Sequence, residues 1–414
     1  MILEGCIKLM KRKLFLLLAF ACVFVTASAD DSIKVVHPKF LSLNLSEGFV
    51  VPSSRIVKGK TTAPNVLALN LKYGLYAKGD KWEDYYFGMP YKGIGLYKPH
   101  YSMNKEMGNP FSVFLFQGAT LKEFGAGLSL NYEINLGLSF NHNHYDVNDN
   151  PSFEALGSSV NAHLGGNLYL KKPISKWFDL RLGVDILHFS NGARRTPNYG
   201  LNSISSFVGL AYNMTGYTRL SNMSESDFPA TAFEKRTVHD ISFFVTRRTL
   251  NVDTTGANLR SRFVETSFKV VGLNYAYMWQ NSRRFLWGPS MELQYDEGNG
   301  VSVVGDISGR SGEYKEIVKL GSLSERLSLG LSMKGEFKMQ GFSVFGNLGY
   351  EVFPGHKKDK RLYQIYGVKV YLFEGLSSSF GVKSNYITNS NYLYLSIGYS
   401  FYKSGKNKNA TRKR

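Results

Sequence analysis

From about residue 66 to residue 402 the chain alternates: apolar side chains recur at every second position, and clusters rich in Asn, Asp, Gly and Pro interrupt the runs. Leu180, Leu182, Val184 and Ile186 share one parity, while Arg181, Gly183 and Asp185 hold the other. The same two-residue period orders Val160, Ala162, Leu164, Leu168 and Leu170, and again Leu393, Leu395, Ile397, Tyr399 and Phe401; Phe207 breaks parity in the segment 202–214. A period of two is that of a strand with two unlike faces. It predicts strands near 66–76, 92–97, 111–119, 121–130, 133–142, 158–170, 178–190 and 202–214. A second set is predicted near 237–248, 263–281 (one strand or two), 286–298, 323–338, 341–353, 361–373, 376–386 and 391–402.

Two all-β architectures satisfy such alternation. A sandwich buries its apolar face, whereas a membrane barrel turns that face to lipid and fills its lumen with the polar one. An apolar leader, abundant Tyr and Phe, and an aromatic last strand, Gly398-Tyr399-Ser400-Phe401, favour the barrel. The expectation is a transmembrane antiparallel β-barrel of about 12–16 strands. Its segments are a signal peptide over 1–29, an N-terminal arm over 30–62, a barrel half over 63–214 and a loop over 215–236. Strands in 237–402 complete the barrel, and 403–414 form a basic disordered tail. Lys171–Trp177 is a short connection, while 143–157 and 191–201 are long. Short turns usually face the periplasm, so the strand ending at Ser190 runs toward the outer leaflet.

The leader reads as an export signal: Lys11, Arg12 and Lys13 precede an apolar run to Val25, and Ala27-Ser28-Ala29 offers a cleavage site, with Met10 an alternative start. Both cysteines, Cys6 and Cys22, fall within it, so the remaining chain has no thiol chemistry. Lipoprotein processing at Cys22 is the competing reading, but Phe20, Val23, Phe24 and Val25 suit it poorly. The formal charge of +18 is spread unevenly. Lys8, Lys11, Arg12 and Lys13 against Glu4, and six cations after Tyr402, leave +9 for the body. An exported chain meets no genome, so nucleic acid is excluded as a partner. Modest basicity suits anionic headgroups or polysaccharide phosphate.

The candidate chemistry lies at the end of the strand over 178–190. His188 and Ser190 continue the apolar row of Leu180 to Ile186, so a base and a hydroxyl project from the face expected to touch lipid. Such a pair is a candidate esterase. Ordinary loop chemistry, or a histidine placed at the headgroups without a catalytic role, explains the same residues.

His188-Phe189-Ser190-Asn191-Gly192, followed by Pro197-Asn198-Tyr199-Gly200-Leu201-Asn202, resembles the outer-membrane lipid A 3-O-deacylase (acyloxyacyl hydrolase) family, with residues 66–214 corresponding to its eight-stranded enzyme. The second half resembles that of longer members. The resemblance implies that Ser190 is the nucleophile and His188 the general base, with no cofactor and no metal. Asn191 and the Gly192 amide supply oxyanion donors, and Asn198 braces the loop or joins them. Lipid A of lipopolysaccharide in the outer membrane is the implied partner. One position departs: where the family carries a glutamate to orient the histidine, two residues after the motif glycine, this chain has Asn202. An amide can fix an imidazole tautomer but brings no charge to the imidazolium.

Other constellations offer less. His142 and His144 near Asp146 and Asp149 suit either a metal or a polar outer loop, and His239-Asp240 lacks a nucleophile. Arg194 and Arg195 suit either lipid phosphate or solvent. No Gly-x-Ser-x-Gly elbow or phosphate-binding glycine loop occurs. Two function classes stay open: a lipid A esterase, and a non-catalytic channel or lipid-binding barrel. A barrel wider than eight strands would give the second its lumen.

Overall fold

The computed structural model describes residues 38–51, 63–125, 127–146, 148–215, 233–251, 263–307, 314–355, 361–386 and 389–404. The leader, most of the 215–236 segment and nearly all of the basic tail lie outside the described residues.

The fold is all-β and antiparallel, as the alternation predicts, but its strands close as two barrels of eight rather than one of 12–16. The first comprises β1 (Lys39–Val50), β2 (Asn65–Tyr76), β3 (Tyr91–Tyr101), β4 (Gly108–Gly125), β5 (Leu128–His142), β6 (Asn161–Pro173), β7 (Phe178–Ser190) and β8 (Leu201–Asn213). Within the expected N-terminal arm over 30–62, Lys39–Val50 is strand β1, while residues 30–37 and 52–62 lie outside the described residues. This strand pairs with β2 and also with β8, from Phe40↔Asn213 to Val50↔Ser203, and so closes the ring. Its own alternation explains why: Leu41, Leu43 and Leu45 face out, while Phe40, Ser42, Asn44 and Ser46 are buried inside. The predicted strands 111–119 and 121–130 are not two; β4 runs through Gly125, and the turn to β5 follows.

The second barrel comprises β9 (Arg236–Asn251), β10 (Phe263–Gln280), β11 (Phe285–Asp296), β14 (Leu327–Lys338), β15 (Phe342–Phe353), β16 (Leu362–Tyr371), β17 (Leu376–Tyr386) and β18 (Asn389–Ser404). Pairing of β18 with β9, from Ser396↔Phe244 to Ser404↔Arg236, closes it, so residues 237–402 do not complete the first barrel. The segment 263–281 forms one strand, and β12 (Ser302–Ile307) with β13 (Tyr314–Lys319) make a hairpin outside the ring.

An eight-stranded barrel has an interior just wide enough to be filled by side chains. In the first, Phe40, Tyr91, Phe116, Tyr169 and Arg181 pack together, with the Arg181 guanidinium 4.7 Å from the Phe40 ring centre. Lys72 and Glu133 form a fully buried ion pair beside them. Phe207, the residue that broke the polar row, points inward and packs on Tyr169. In the second lumen Asp240 binds Lys334 at 2.7 Å and Lys369 at 2.8 Å, and Lys383 binds Glu292 at 2.8 Å and Glu351 at 3.2 Å. The outer walls are apolar: Leu182 and Ile186 on β7 are 57% and 58% exposed, as is the row Ile241, Phe243 and Val245 on β9. Such walls suit hydrocarbon, and the paired lumen charges satisfy one another away from it.

Short connections gather at one end of each barrel, including 174–177, 281–284 and 339–341. There the barrels touch: Gln117 Nε2 donates to Gln340 O at 2.7 Å, Gln340 Nε2 to Asp84 Oδ1 at 2.8 Å, and the Arg284 guanidinium to Tyr86 O. Long connections, among them 143–160 and 191–200, gather at the other end, and Ser190 lies with them.

Candidate active site

The site grows from the β7–β8 register. His188 and Asn202 are direct cross-strand partners, as are Ile186 and Ile204 below them. Opposed side chains on one face of an antiparallel pair stand about 5 Å apart at Cβ. The pair therefore meets without rearrangement: His188 Nδ1 lies 2.7 Å from Asn202 Oδ1. Nδ1–H donates to the amide oxygen, which leaves Nε2 as the basic nitrogen. The expected placement of Asn202, one strand over on the same outward face, is where the structure puts it.

Ser190 is two residues further along β7, about 6.6 Å beyond His188 at the rise of a strand. It continues the outward row, yet unlike Ile186 it is buried, because the connection to β8 folds back over it. Its cross-strand neighbour on β6 is Ala162, whose small side chain leaves room. Ser190 Oγ accepts two hydrogen bonds, from Gly192 N–H at 3.0 Å and from Asn198 Nδ2 at 2.8 Å. Asn198 is itself aimed by its other end, since Asn191 N–H donates to Asn198 Oδ1 at 3.2 Å. Two converging N–H donors on one oxygen make a cradle suited to negative charge. With both lone-pair directions occupied, the hydroxyl proton is the part of Ser190 left to be given away.

Of the two roles open to Asn198, its contact with Ser190 Oγ fits that of a donor, while Asn191 is turned elsewhere. The Asn191 carboxamide is committed to the loop, donating to Ser158 Oγ at 3.1 Å and Arg195 O at 3.0 Å, whereas Asn198 supplies the side-chain donor beside Ser190. Gly192 is where expected, with a φ of 62° that favours glycine. The motif glycine Gly200 makes room for the imidazole. Its φ is 79°, and a Cβ there would stand 2.6 Å from His188 Cε1, so only glycine lets the imidazole lie against this turn. Arg194 and Arg195 are exposed on the same loop.

The histidine–aspartate cluster is not assembled. His142 turns into the first barrel, where its Nε2 meets Ser139 Oγ at 2.7 Å. The Asp146 carboxylate is held by the backbone amides of Asn148 and Asp149, which keep it below the usual carboxylate range. Among the described residues no group of three or more His, Cys, Asp or Glu is placed to hold a metal ion. His239 packs on Phe401 and bonds Tyr275 OH on an outer wall.

Comparison with known proteins assigns both halves. The family described as lipid A 3-O-deacylase (PagL) matches residues 69–211, and that described as acyloxyacyl hydrolase, C-terminal domain, matches residues 239–404. No curated protein matches significantly. Among solved structures, the siderophore receptor PirA from Pseudomonas aeruginosa is 13% identical over 89% of this chain and 82% of its own, with a TM-score of 0.23. A TodX monoaromatic hydrocarbon channel mutant is 9% identical over 89% and 90%, at 0.18, and a Rhodopseudomonas blastica porin triple mutant 9% over 88% and 99%, at 0.17. Likeness at these scores carries no argument, and the barrel reading rests on the strand pairing itself.

Proposed function

Because the chain belongs to the outer-membrane lipid A 3-O-deacylase (acyloxyacyl hydrolase) family, in the long form with a C-terminal domain, we propose that it is a serine esterase removing an ester-linked acyl chain from lipid A. Ser190 is the nucleophile and His188 the base, oriented by Asn202. The observation that carries this reading is the pairing of a two-donor cradle at Ser190 with an oriented imidazole on the same lipid-facing row.

Ser190 Oγ attacks the ester carbonyl as His188 Nε2 takes its proton. As the substrate carbonyl enters, the Gly192 and Asn198 donors transfer from Oγ to the oxygen on which charge develops. The carbon–oxygen bond to the sugar breaks, and the leaving alkoxide takes the proton from His188. Water, deprotonated by His188, then attacks the acyl-serine and releases the fatty acid, restoring Ser190. The resting Ser190 and His188 bond to different partners, and such bonds commonly tighten only with substrate bound. The ester stands at the headgroup boundary while the acyl chains stay in the bilayer, so no lipid is extracted into water. In this reading Arg194 and Arg195, exposed on the same loop, meet lipid phosphates, and the 1–29 leader directs export.

What speaks against the rival channel reading is that, among the described residues, side chains and paired charges pack the interior of each barrel; the rival lipid-binding barrel is distinguished by activity alone. Mass spectrometry of lipid A from cells expressing the wild type, Ser190→Ala and Asn202→Glu tests the proposal. Loss of one hydroxyacyl mass that depends on Ser190 is the expected result. Unchanged lipid A with well-assembled wild type in the outer membrane would overturn it.

A further inference from the structure

The residues that shape the Ser190 cradle are themselves held by the second barrel. Gly192 and Ala193 adopt successive left-handed conformations, with φ of 62° and 60°. Ala193 has a Cβ and no intrinsic preference for that region, so something outside the turn must keep it there. The Ala193 carbonyl accepts two hydrogen bonds from Thr249 on β9, from its backbone N–H at 2.9 Å and from its Oγ1 at 3.2 Å. On the other side, Gly192 lies against Leu393 on β18; a Cβ at 192 would stand 2.1 Å from Leu393 Cγ.

Both contacts come from the outward face of the second barrel. Thr249 belongs to the row of Ile241, Phe243 and Val245, and Leu393 to that of Leu395 and Ile397. The rest of those rows is exposed to the surroundings, whereas Thr249 is 8% exposed and Leu393 half-buried. The covering element is the turn whose Gly192 N–H donates to Ser190 Oγ. At the opposite end the barrels are joined independently, through Gln340 and Arg284.

We propose that the second barrel completes the active site of the first, with Thr249 and Leu393 as positioning residues that clamp the Gly192–Ala193 turn and thereby aim the Gly192 amide. This rests on the serine-esterase reading of Ser190. It gives the C-terminal domain a role that an eight-stranded enzyme barrel alone does not require. The clamp acts on a donor whose hydrogen bond strengthens as charge develops, so its loss lowers kcat rather than raising KM.

The test uses the full-length protein in detergent micelles, with lipid A as substrate and released fatty acid as the readout. The wild type is compared with Ser190→Ala, Thr249→Val/Leu393→Ala and the conservative Thr249→Ser/Leu393→Met. The expected result is Ser190-dependent turnover in the wild type and a kcat about 10- to 100-fold lower in the Val/Ala pair at unchanged KM, the order of cost of a misplaced oxyanion donor. The Ser/Met pair should regain most of the loss. Should the Val/Ala pair not fold, Thr249→Val alone, which deletes one hydroxyl bond, should lower kcat by about three- to tenfold. Wild-type kcat in the variants that fold would overturn the clamp and leave the esterase standing. Absence of Ser190-dependent turnover in the wild type would overturn both.

Discussion

Replacing Asn202 by aspartate should raise the rate of acyl release. The 2.7 Å contact between Asn202 Oδ1 and His188 Nδ1 already has ideal length, and aspartate is isosteric with asparagine. The substitution therefore puts a carboxylate oxygen where the amide oxygen stands, with no change of reach. A carboxylate and an imidazolium centred about 4 Å apart attract by about 4 kcal/mol at an effective dielectric constant of 20. Holding the carboxylate in this half-buried place returns part of that gain, and a net of about 2 kcal/mol in the transition state corresponds to about 30-fold in kcat. This lies below the roughly 10⁴-fold loss that follows Asp-to-Asn replacement in a Ser-His-Asp triad, because that loss comes from the wrong imidazole tautomer, which Asn202 already prevents here. Glutamate, one methylene longer, must fold its chain to reach Nδ1 and should gain less than aspartate. Asn202→Ala, which leaves the tautomer unfixed, should fall below the wild type by about 10-fold or more. The assay is initial-rate release of fatty acid from lipid A in micelles, with Ser190→Ala as the blank. If the aspartate variant were no faster than wild type and the alanine variant no slower, Asn202 would not orient the base.

Asn198→Ala should cost about 10²- to 10³-fold in kcat by removing a donor beside Ser190, while Asn191→Ala, which loosens the loop around Ser158 and Arg195, should cost clearly less; the two rates measured side by side check which asparagine serves the oxyanion. Gly200→Ala should lower kcat by about 100-fold, because the new Cβ would stand 2.6 Å from His188 Cε1 and displace the imidazole; the same fatty-acid assay reads it. In the second lumen, Lys369→Met leaves Asp240 with the Lys334 ammonium and the Ser400 hydroxyl. That change should destabilise the protein by about 3 kcal/mol, as breaking a buried ion pair does, and a urea titration followed by tryptophan fluorescence should show the earlier midpoint.

Much of the architecture is legible in the alternation, since a two-residue period says which side chains share a face. It separated Leu182 and Ile186 from Arg181 and Asp185, and it set His188, Ser190 and Asn202 on the outward rows. The strand β1 carries the same signal in Leu41, Leu43 and Leu45, although one of its two partners, β8, lies far along the chain. Gly200 was visible as a motif glycine, but the imidazole it makes room for comes from the neighbouring strand.

The sequence alone determined local geometry and chemical inventory: strand faces, the lipid-facing wall, and a base and a hydroxyl two residues apart. Only the tertiary structure decided which strands are neighbours at closure, because periodicity constrains faces and not partners. Pairing of β1 with β8 and of β9 with β18 makes two filled barrels instead of one open one. It also decided which asparagine serves Ser190, since Asn191 and Asn198 differ in where the folded loop points them. The contacts of Thr249 and Leu393 with the Gly192–Ala193 turn leave no mark in either segment, because they arise only where the outer walls of two barrels meet.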